Sequence, residues 1–474
     1  MRMADQSGHD RLATFIPMAA SKSDPAAADL EARSPWAALS GIAAVSLSPL
    51  ERPVDAEIAI PGSKSFTNRA LVMAAMADGT SEINGILKSD DSYWCLDAFK
   101  KLGVHCHVNG ETVRIEGASG EWPVRECELY IGAAGTSARF LPGALAVAHS
   151  GQWLLRGSRR LSQRPLRPLL DALHTLGADI QSLREPGQLP LRIHGRGLSG
   201  GRVEISGKIS SQFLSGLLIA APYAEGPVEI VVSDEIVQHA YVRITLDMMA
   251  AMGVPVEVDD RFRRFFVRPG RYQGQPLSLE ADASTACYFF ALAAVTGGRM
   301  RVTNLSRDTR QPDARFPEIL ARMGCHVQWG DTFIEVAGPP VLKGGLEVDM
   351  KELSDQALTL AAVAAFADAP VTVTGVGHIR HHESNRIQAV CESLNRLGIE
   401  AREREDGFTV VPGPIRPACL ASYDDHRVAM SLSLIGARVP GVRILDPGCV
   451  SKTCPGYFTM LETLGVGVDY HGES

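Results

Sequence analysis

The sequence predicts an α/β protein built from one unit repeated six times. Six short polar clusters, each followed at once by an apolar stretch of small residues, recur along the 474 residues. The first apolar residues after the clusters are spaced by 70, 73, 75, 69 and 71 residues, and they are Ala70, Phe140, Phe213, Tyr288, Ala357 and Val428. Each stretch leads through a turn into β-branched residues, as in GTSEING and DAPVTVTG, which is typical of a helix followed by a strand. Such a fixed period indicates a repeated supersecondary unit.

A second periodic feature predicts a second helix in each unit. Six amphipathic stretches, such as LDALHTLGADI, end in Leu-Gly or Met-Gly and precede a strand-like segment. A glycine directly after a helix commonly terminates it in a left-handed conformation. The glycines at these positions are Gly103, Gly177, Gly253, Gly324, Gly398 and Gly465. We therefore predict two helices and several strands per unit, arranged as two similar domains of three units each.

The polar clusters lie where the first helix of each unit begins. They occupy residues 61–69, 132–139, 207–212, 280–285, 351–356 and 423–427. Helix N-termini carry free N–H groups and partial positive charge, so six of them on one side would form an anion-binding cleft. A repeat protein whose Ser, Thr and Asp residues only cap helices is the alternative. Capping does not require Lys64 with Arg69, Arg139 or the Asp-Asp-His-Arg run, which add charge beyond a cap.

Composition excludes several functional classes. The net charge of −7, without a basic run, argues against a nucleic-acid surface. Nine cysteines without CxxC pairs or histidines at zinc-ligand spacing indicate a reducing compartment and no metal site. No apolar run approaches the roughly 20 residues that span a bilayer. We expect a protein of the cytoplasm or of a reducing organelle, the cytoplasm being preferred because residues 1–44 are too acidic for a transit peptide. These residues, rich in Ala, Ser and Asp, are predicted to be a disordered N-terminal extension.

Eight motifs, in this order and at this spacing, resemble the 5-enolpyruvylshikimate-3-phosphate (EPSP) synthase family of enolpyruvyl transferases. They are PGSKSFTNRALVMAAMADG, IGAAGTSARFL, KISSQFLSGLLIAAP, DASTACYFFALAAVTGG, SDQALTLAAVAAFAD, HHESNRI, YDDHRVAMSLSL and DPGCVSKTCPGYF. The resemblance covers the chain from about Ser46 onward. It implies two domains of three βαβαββ repeats each, of the inside-out α/β barrel type, with the active site in the interdomain cleft. It also implies that residues 45–61 and 283–474 form one domain and residues 62–282 the other.

The resemblance implies transfer of the enolpyruvyl group of phosphoenolpyruvate to the 5-hydroxyl of shikimate 3-phosphate, with release of phosphate. This reaction of the shikimate pathway, which leads to aromatic amino acids, uses no metal or organic cofactor in the family. The implied partners are small anionic substrates only, and the implied enzyme is a monomer that closes its domains around them. The chemistry requires clamps for anionic groups and side chains that move protons.

Family positions assign the candidate site residues. The implied phosphoenolpyruvate-binding residues are Lys64, Gly135, Arg164, Gln212, Arg386, Arg427 and Lys452. The implied proton-transfer residues are Lys64, Asp355 and Glu383. The implied acceptor-binding residues are Lys64, Ser65, Arg69, Ser210, Ser211, Gln212, Gln238, Tyr241, Asp355, His378 and His382. Without the resemblance, each basic residue alone reads as a solvated surface charge and Asp355 as a helix cap.

The chain departs from the family pattern at five of these motif positions. Gln238 replaces the usual Ser, His378 the usual Asn, His382 the usual Lys, Asn385 the usual Asp and Ala133 the usual Asn. Three of the five are acceptor positions. Because an imidazole has a reference pKa near 6.5, we expect His382 to be partly charged at neutral pH, and phosphate binding by the acceptor site to weaken or become pH-dependent.

Three interpretations of these departures remain open. His378 and His382 together could donate two hydrogen bonds to the acceptor phosphate, which would preserve the family reaction. A divergent paralogue could use a different, unphosphorylated cyclohexene or polyol acceptor, or act as a related lyase. A catalytically silent binding protein is the third. The related UDP-N-acetylglucosamine enolpyruvyl transferases are disfavoured, because their active-site loop carries a cysteine whereas Cys127 lies in a predicted strand ahead of that loop.

Overall fold

The computed structural model describes residues 28–472. Its α-helices are α1 Lys64–Met76, α2 Asp90–Lys101, α3 Gly135–Ala146, α4 Arg159–Gln163, α5 Arg167–Thr175, α6 Ser211–Ala220, α7 Ala240–Ala251, α8 Ala283–Thr296, α9 Phe316–Arg322, α10 Ala357–Ala364, α11 Arg386–Arg396, α12 His426–Gly436 and α13 Tyr457–Thr463. Its 3₁₀ helices are Leu30–Ala32, Ala221–Tyr223, Pro312–Arg315, Ser354–Gln356, Gly377–His381 and Pro447–Lys452.

The strands are interleaved with these helices along the chain. They are β1 Ile42–Ser48, β2 Asp55–Ile58, β3 Thr80–Asn84, β4 His105–Asn109, β5 Thr112–Glu116, β6 Glu126–Tyr130, β7 Gln152–Arg156, β8 Asp179–Ser182, β9 Leu191–His194, β10 Gly201–Ile205, β11 Val228–Val232, β12 Glu257–Val258, β13 Arg264–Val267, β14 Pro276–Ser278, β15 Arg299–Val302, β16 His326–Trp329, β17 Ile334–Ala337, β18 Leu346–Asp349, β19 Val371–Thr374, β20 Glu400–Arg404, β21 Gly407–Val411, β22 Ala418–Leu420, β23 Val442–Leu445 and β24 Gly467–Gly472. Within residues 28–472, no helix is both long and apolar enough to cross a bilayer.

The strands form six four-stranded sheets that share one topology. In the unit from β6 to β9 the order is β6-β7-β9-β8, with β6 and β7 parallel and the other neighbours antiparallel. The units from β10 to β13 and from β18 to β21 repeat this order. Helices connect the two parallel strands and the second and third strands, so the predicted βαβαββ unit is confirmed.

The other three units are completed by strands that are distant in sequence. Strand β2 pairs in parallel with β15, and β1 pairs with both β23 and β24. Strand β14 returns to pair in parallel with β3. The two connecting segments lie side by side, since Ser63 N donates to Glu280 O at 2.8 Å and Asp282 N to Pro61 O at 2.9 Å. The chain therefore passes from one group of three sheets to the other and back at adjacent points.

Each group of three sheets encloses its own hydrophobic core. One core contains buried residues of segments 45–60 and 281–466, and the other contains buried residues of segment 70–272. The first helix of a unit lies inside the core: every residue of α3 is buried, whereas α5 buries only one face. The two separate cores support the domain limits predicted from the sequence. These limits stay a prediction.

The glycines that follow the second helices adopt the predicted left-handed conformation. Their φ angles lie between +85° and +97°, and they are Gly103, Gly177, Gly253, Gly324, Gly398 and Gly465. This conformation is strained for residues with a Cβ atom, which explains why the glycine recurs at the same place in all six units.

The N-terminal segment is more structured than its composition predicts. Residues 30–32 form a 3₁₀ helix, β1 starts at Ile42, and Trp94 Nε1 donates to Ala32 O at 2.8 Å. The expectation of disorder therefore does not hold for residues 28–44, whereas residues 1–27 lie outside the described residues. The contacts that order this segment come from residues far away in sequence, which composition does not reveal.

Candidate active site

The six helix-start clusters face a single cleft of about 810 Å³. Each cluster contributes at least one residue to its wall, for example Lys64, Thr136, Ser210, Ser284, Asp355 and His426. The N-termini of the first helices of all six units therefore meet at this cleft. Such an arrangement directs N–H groups and partial positive charge toward a bound anion.

Arg386, the first residue of α11, binds three carboxylates at once. Its Nε and Nη2 donate to Asp425 at 2.9 and 3.2 Å, Nη1 donates to Asp355 at 3.0 Å, and Nη2 donates to Glu383 at 3.0 Å. The Arg386 side chain is only 1% exposed. Burial alone would lower the pKa of Arg386, but Asp425, Glu383 and Asp355 raise it above its ordinary value. Arg386 is therefore a permanently charged centre that orients both predicted proton-transfer carboxylates.

Asp355 lies in the 3₁₀ turn that precedes α10 and accepts a second charged hydrogen bond. Arg427 Nη2 donates to its Oδ2 at 2.8 Å, and Arg427 Nη1 donates to the Tyr288 hydroxyl at 3.3 Å. Burial opposes ionisation of Asp355, but Arg427 and Arg386 hold its pKa well below the usual range. Asp355 is therefore an ionised carboxylate able to accept a proton.

Glu383 lies where the two domains meet. Its Oε1 is 2.9 Å from Lys452 Nζ and 3.4 Å from Arg164 Nη1. Burial would raise the pKa of Glu383, but Lys452, Arg164 and Arg386 hold it well below its ordinary value. Lys452 Nζ also donates to Ala133 O at 2.9 Å, so it joins the two domains.

Lys64, the first residue of α1, has its ammonium group in the same cleft. Its Nζ is 3.8 Å from Asp91 Oδ2, and burial lowers its pKa despite this neighbour. Its backbone N–H donates to Asp282 Oδ2 at 2.9 Å, while Asp282 Oδ1 accepts from Thr285 N at 2.8 Å at the start of α8. One carboxylate thus caps two helices, one from each domain, and fixes the start of α1 relative to α8.

Arg69 is the buried cation of the predicted acceptor site. Its guanidinium donates to Thr245 Oγ1 at 2.7 Å, to Ser65 O at 3.0 Å and to Tyr241 O at 3.2 Å. No acidic side chain in the described part of the chain forms an ion pair with it. Burial lowers its pKa to about 10, which still leaves it charged at neutral pH.

Polar side chains of two further elements complete the acceptor wall. Ser210 caps α6 by accepting from Gln212 N at 3.2 Å, and Ser211 follows it in the cleft. Gln238 is 9% exposed, and its φ angle of +52° is uncommon for a residue other than glycine. Its Nε2 has no hydrogen-bond partner among the described residues. A strained residue with an unused buried donor is typical of a ligand site.

The surroundings and the charge of His378 and His382 differ from what the sequence predicts. Arg386 Nη1 donates to His382 Nδ1 at 3.1 Å, and burial together with Arg386 holds the pKa of His382 well below 6.5. The expectation that His382 is partly charged at neutral pH is therefore wrong. His378 Nε2 lies 2.9 Å from Ser354 Oγ, outside the cleft wall, and burial lowers its pKa too.

Most of the predicted site residues line the cleft. They are Lys64, Ser65, Arg69, Arg164, Ser210, Ser211, Gln212, Gln238, Tyr241, Asp355, His382, Glu383, Arg386 and Arg427. Three others lie behind the wall: His378 beside Ser354, Lys452 bonded to Glu383, and Gly135 at the start of α3. A Cβ atom on Gly135 would stand 2.8 Å from Arg164 Nη1, so this glycine leaves room for the arginine.

The structure adds residues that the sequence analysis did not assign. Asp282, Asp425 and His426 lie within the polar clusters recognised in the sequence. Their positions in those clusters were the signal that they belong to the site. For Arg160, the signal in the sequence was only its position four residues before Arg164. Arg160 Nε donates to Glu383 O and its Nη2 to His382 O, both at 3.0 Å, which ties α4 to the segment that carries His382 and Glu383. Among residues 28–472, no group of three or more His, Cys, Asp and Glu side chains is arranged to hold a metal ion.

Comparisons with known proteins agree with this geometry. The family model described as EPSP synthase (3-phosphoshikimate 1-carboxyvinyltransferase) matches residues 50–461. The chain is 55% identical over 444 residues to "3-phosphoshikimate 1-carboxyvinyltransferase 2" of Halalkalibacterium halodurans, covering 93% of this chain and 99% of the relative. It is 41% identical to the 3-phosphoshikimate 1-carboxyvinyltransferase of Nostoc punctiforme, over 88% of this chain and 97% of that protein.

A solved structure shows the same fold. EPSP synthase from Acinetobacter baumannii superposes with a TM-score of 0.75 at 26% identity, covering 90% of this chain and 100% of that one. Family match, sequence identity and fold thus coincide over nearly the whole described chain. The chain belongs to the EPSP synthase (3-phosphoshikimate 1-carboxyvinyltransferase) family.

Proposed function

We propose that this enzyme transfers the enolpyruvyl group of phosphoenolpyruvate to the 5-hydroxyl of shikimate 3-phosphate and releases phosphate. The observation that carries the proposal is the position of Arg386, which holds Asp355 and Glu383 at 3.0 Å each. Two oriented carboxylates thereby share a cleft with the cationic side chains of Lys64, Arg164 and Arg427. An addition and elimination reaction between two anions requires both kinds of group.

The phosphoenolpyruvate half of the cleft consists of Lys64, Gly135, Arg164, Gln212, Arg386, Arg427 and Lys452. Arginine forks bind carboxylate and phosphate groups in a bidentate manner, and lysines add point charge. A bound phosphoenolpyruvate brings negative charge to Arg164, Arg386 and Lys452, the groups that keep the pKa of Glu383 low. We expect the pKa of Glu383 to rise in the complex with phosphoenolpyruvate, so that Glu383 can carry a proton.

The proposed reaction has two balanced steps. In the addition, Glu383 gives a proton to the methylene carbon, the 5-oxygen of the acceptor bonds to the adjacent carbon, and Asp355 takes the hydroxyl proton. In the elimination, Glu383 removes a proton from the new methyl group while the carbon–oxygen bond to phosphate breaks. The double bond re-forms and phosphate leaves beside Lys64, whose lowered pKa makes it an effective proton donor.

The acceptor half consists of Ser65, Arg69, Ser210, Ser211, Gln238, Tyr241 and His382, with His378 behind its wall, and Lys64, Gln212 and Asp355 are also predicted to contact the acceptor. Arg69 is its buried cation, and its hydroxyl and amide groups supply uncharged donors. Because His382 accepts a hydrogen bond from Arg386 and is neutral, it offers at most one uncharged donor to the substrate. We infer that Arg69, neutral donors and helix N-termini together hold the acceptor.

Phosphate release tests the proposal directly. The enzyme should release phosphate from phosphoenolpyruvate with shikimate 3-phosphate, and much more slowly with shikimate or quinate. Efficient turnover of only an unphosphorylated acceptor would instead support the divergent paralogue. Thermal stabilisation by these ligands without turnover would support a binding protein.

A paired substitution tests the role of Glu383. Glu383→Gln should lower kcat by about 10²- to 10⁴-fold, the usual contribution of a general acid or base. Glu405→Gln, at an exposed position of the same domain, should leave kcat unchanged. Equal kcat values for the two variants would contradict the assignment. The monomeric state, the cytoplasmic location and the absence of a cofactor stay predictions.

A further inference from the structure

Residues 28–41, here called the strap, lie across both domains at the phosphoenolpyruvate side of the cleft. The strap precedes the region that matches the family model, which begins at residue 50. On the side of the 62–282 domain, Ser34 N donates to Asp90 Oδ1 at 2.9 Å and Trp94 Nε1 donates to Ala32 O at 2.8 Å. These contacts hold the strap against α2, whose Asp91 lies 3.8 Å from the Lys64 ammonium group.

On the side of the other domain, the strap is held by Arg33. Its Nη2 donates to Asp424 Oδ1 at 2.7 Å and to Asp446 Oδ2 at 2.8 Å. The Arg33 side chain is 13% exposed, and both aspartates are 23% exposed. Ala38 N adds a hydrogen bond to Ser451 Oγ at 3.0 Å. One guanidinium nitrogen thus joins two loops that are otherwise separate in sequence.

Both loops lead directly into residues of the phosphoenolpyruvate half. Asp424 precedes Asp425, which caps α12, and Arg427 follows two residues later. Asp446 precedes the 3₁₀ helix Pro447–Lys452, whose last residue is bonded to Glu383. The position of Arg33 therefore bears on Arg427 and Lys452 together, although it contacts neither.

The backbone at both aspartates needs support. Asp424 and Asp446 have φ angles of +51° and +47°, a conformation that costs free energy for residues with a Cβ atom. Burial raises the pKa of Asp424 to about 6, and Arg33 opposes this by favouring the carboxylate. Two half-buried carboxylates brought together would repel each other without the cation between them.

A second cavity places the strap next to the chemistry. This cavity, of about 1420 Å³, shares Arg164 and Glu383 with the active-site cleft. Asp29 and Asp424 line it, and so does Lys452. The strap and the loops it binds are therefore one layer of side chains away from the phosphoenolpyruvate half.

We propose that Arg33 is a positioning residue for phosphoenolpyruvate binding, acting by joining the loops that carry Arg427 and Lys452. The proposal rests on the proposed function of the cleft. Acceptor binding should not depend on Arg33, because Arg69, Ser210 and Tyr241 lie on elements other than the two loops that Arg33 joins. Loss of Arg33 lets the two loops separate, which misplaces two cations at once.

Separate KM values for the two substrates test this role. In Arg33→Ala we expect the KM for phosphoenolpyruvate to rise about 10- to 100-fold, as small misplacements of binding groups do, while the KM for shikimate 3-phosphate changes less than about twofold. Arg33→Lys keeps a cation near both carboxylates and should recover part of the loss. Arg443→Ala, which removes an exposed arginine of β23, is the matched control and should behave as the unchanged enzyme.

A second variant covers the case in which Arg33→Ala does not fold. Asp424→Asn removes one of the two carboxylates and leaves Arg33 paired with Asp446, so it should show the same selective rise in KM with less loss of stability. Equal rises in both KM values, or an unchanged KM for phosphoenolpyruvate in both variants, would overturn the proposal. Absence of turnover in the unchanged enzyme would refute the proposed function instead, so the two failures are distinguishable.

Discussion

The two halves of the cleft hold their cations in different ways. In the proposed phosphoenolpyruvate half, Arg386 and Arg427 bind Asp355, and Arg386 and Lys452 bind Glu383. In the proposed acceptor half, the Arg69 guanidinium donates to hydroxyl and carbonyl oxygens and forms no ion pair within residues 28–472. A paired cation is fixed in place and tunes the pKa of its carboxylates, whereas an unpaired buried cation keeps its charge for the ligand.

Three of the five departures from the family pattern, Gln238, His378 and His382, are at predicted acceptor positions, whereas Ala133 and Asn385 adjoin Lys452 and Arg386. Arg164, Arg386, Arg427 and Lys452 each form an ion pair with Asp355 or Glu383, so replacing one of these cations would take a partner from a buried carboxylate. Among the described residues of the acceptor half, Arg69 forms hydrogen bonds to Ser65 and Tyr241 but no ion pair, so a replacement there leaves no buried carboxylate without its cation. His382 lies at the border, and its bond to Arg386 shows how the charged network constrains even a replaced residue.

The largest expected effect follows from removing the centre of the charged network. Arg386→Met leaves three carboxylates without their common partner, so we expect kcat/KM to fall by about 10³-fold and the free energy of unfolding to fall by about 3–5 kcal/mol. Steady-state kinetics and urea unfolding measure the two effects. Arg396→Met, at the exposed end of the same helix, is the control, and equal unfolding free energies in the two variants would refute the network.

Substitution of the unpaired cation should separate binding from stability. Arg69→Gln removes charge-assisted bonds worth about 1.5–3 kcal/mol, so the KM for shikimate 3-phosphate should rise roughly 10- to 100-fold. Because no buried carboxylate loses a partner, the unfolding free energy should fall much less than in Arg386→Met. A parallel rise in the KM for phosphoenolpyruvate would show that the two halves are not independent.

Adding a single methyl group at Gly135 should weaken the binding of phosphoenolpyruvate and leave the binding of the acceptor unchanged. In Gly135→Ala the new Cβ atom would stand 2.8 Å from Arg164 Nη1 and displace it from Glu383. We expect the KM for phosphoenolpyruvate to rise about tenfold, which corresponds to about 1.4 kcal/mol, with an unchanged KM for shikimate 3-phosphate. Gly456→Ala is the control, because its Cβ atom would meet nothing within 4 Å.

The smallest expected effect concerns His382. A histidine whose folded pKa lies well below its unfolded value of about 6.5 is neutral from pH 6.5 upward, so His382 should add no step to the KM for shikimate 3-phosphate between pH 6.5 and 9. His382→Lys adds a cation and should lower this KM by roughly fivefold, about 1 kcal/mol. His381→Lys, at the exposed neighbouring position, should not, and a KM step near pH 6.5 in the unchanged enzyme would contradict the neutral state.

Local sequence signals account for the fold and for most of the site. The repeat of the polar clusters and the six glycines predicted two helices and several strands per unit, because helix starts and ends depend on neighbouring residues, and the family resemblance implied their βαβαββ order. The motif positions predicted fourteen residues that do line the cleft. The charge state of His382 and the order of residues 28–44 were not predictable, because both depend on groups brought close by folding.

The sequence by itself determined the repeating units, the convergence of six helix starts on one cleft and the residue types that meet there. Only the tertiary structure decided which cation pairs with which carboxylate. It also showed that Arg33 joins Asp424 and Asp446, which are 391 and 413 residues away along the chain. Periodicity encodes short-range structure, whereas ion pairing and pKa depend on distances of a few ångströms between atoms from separate segments.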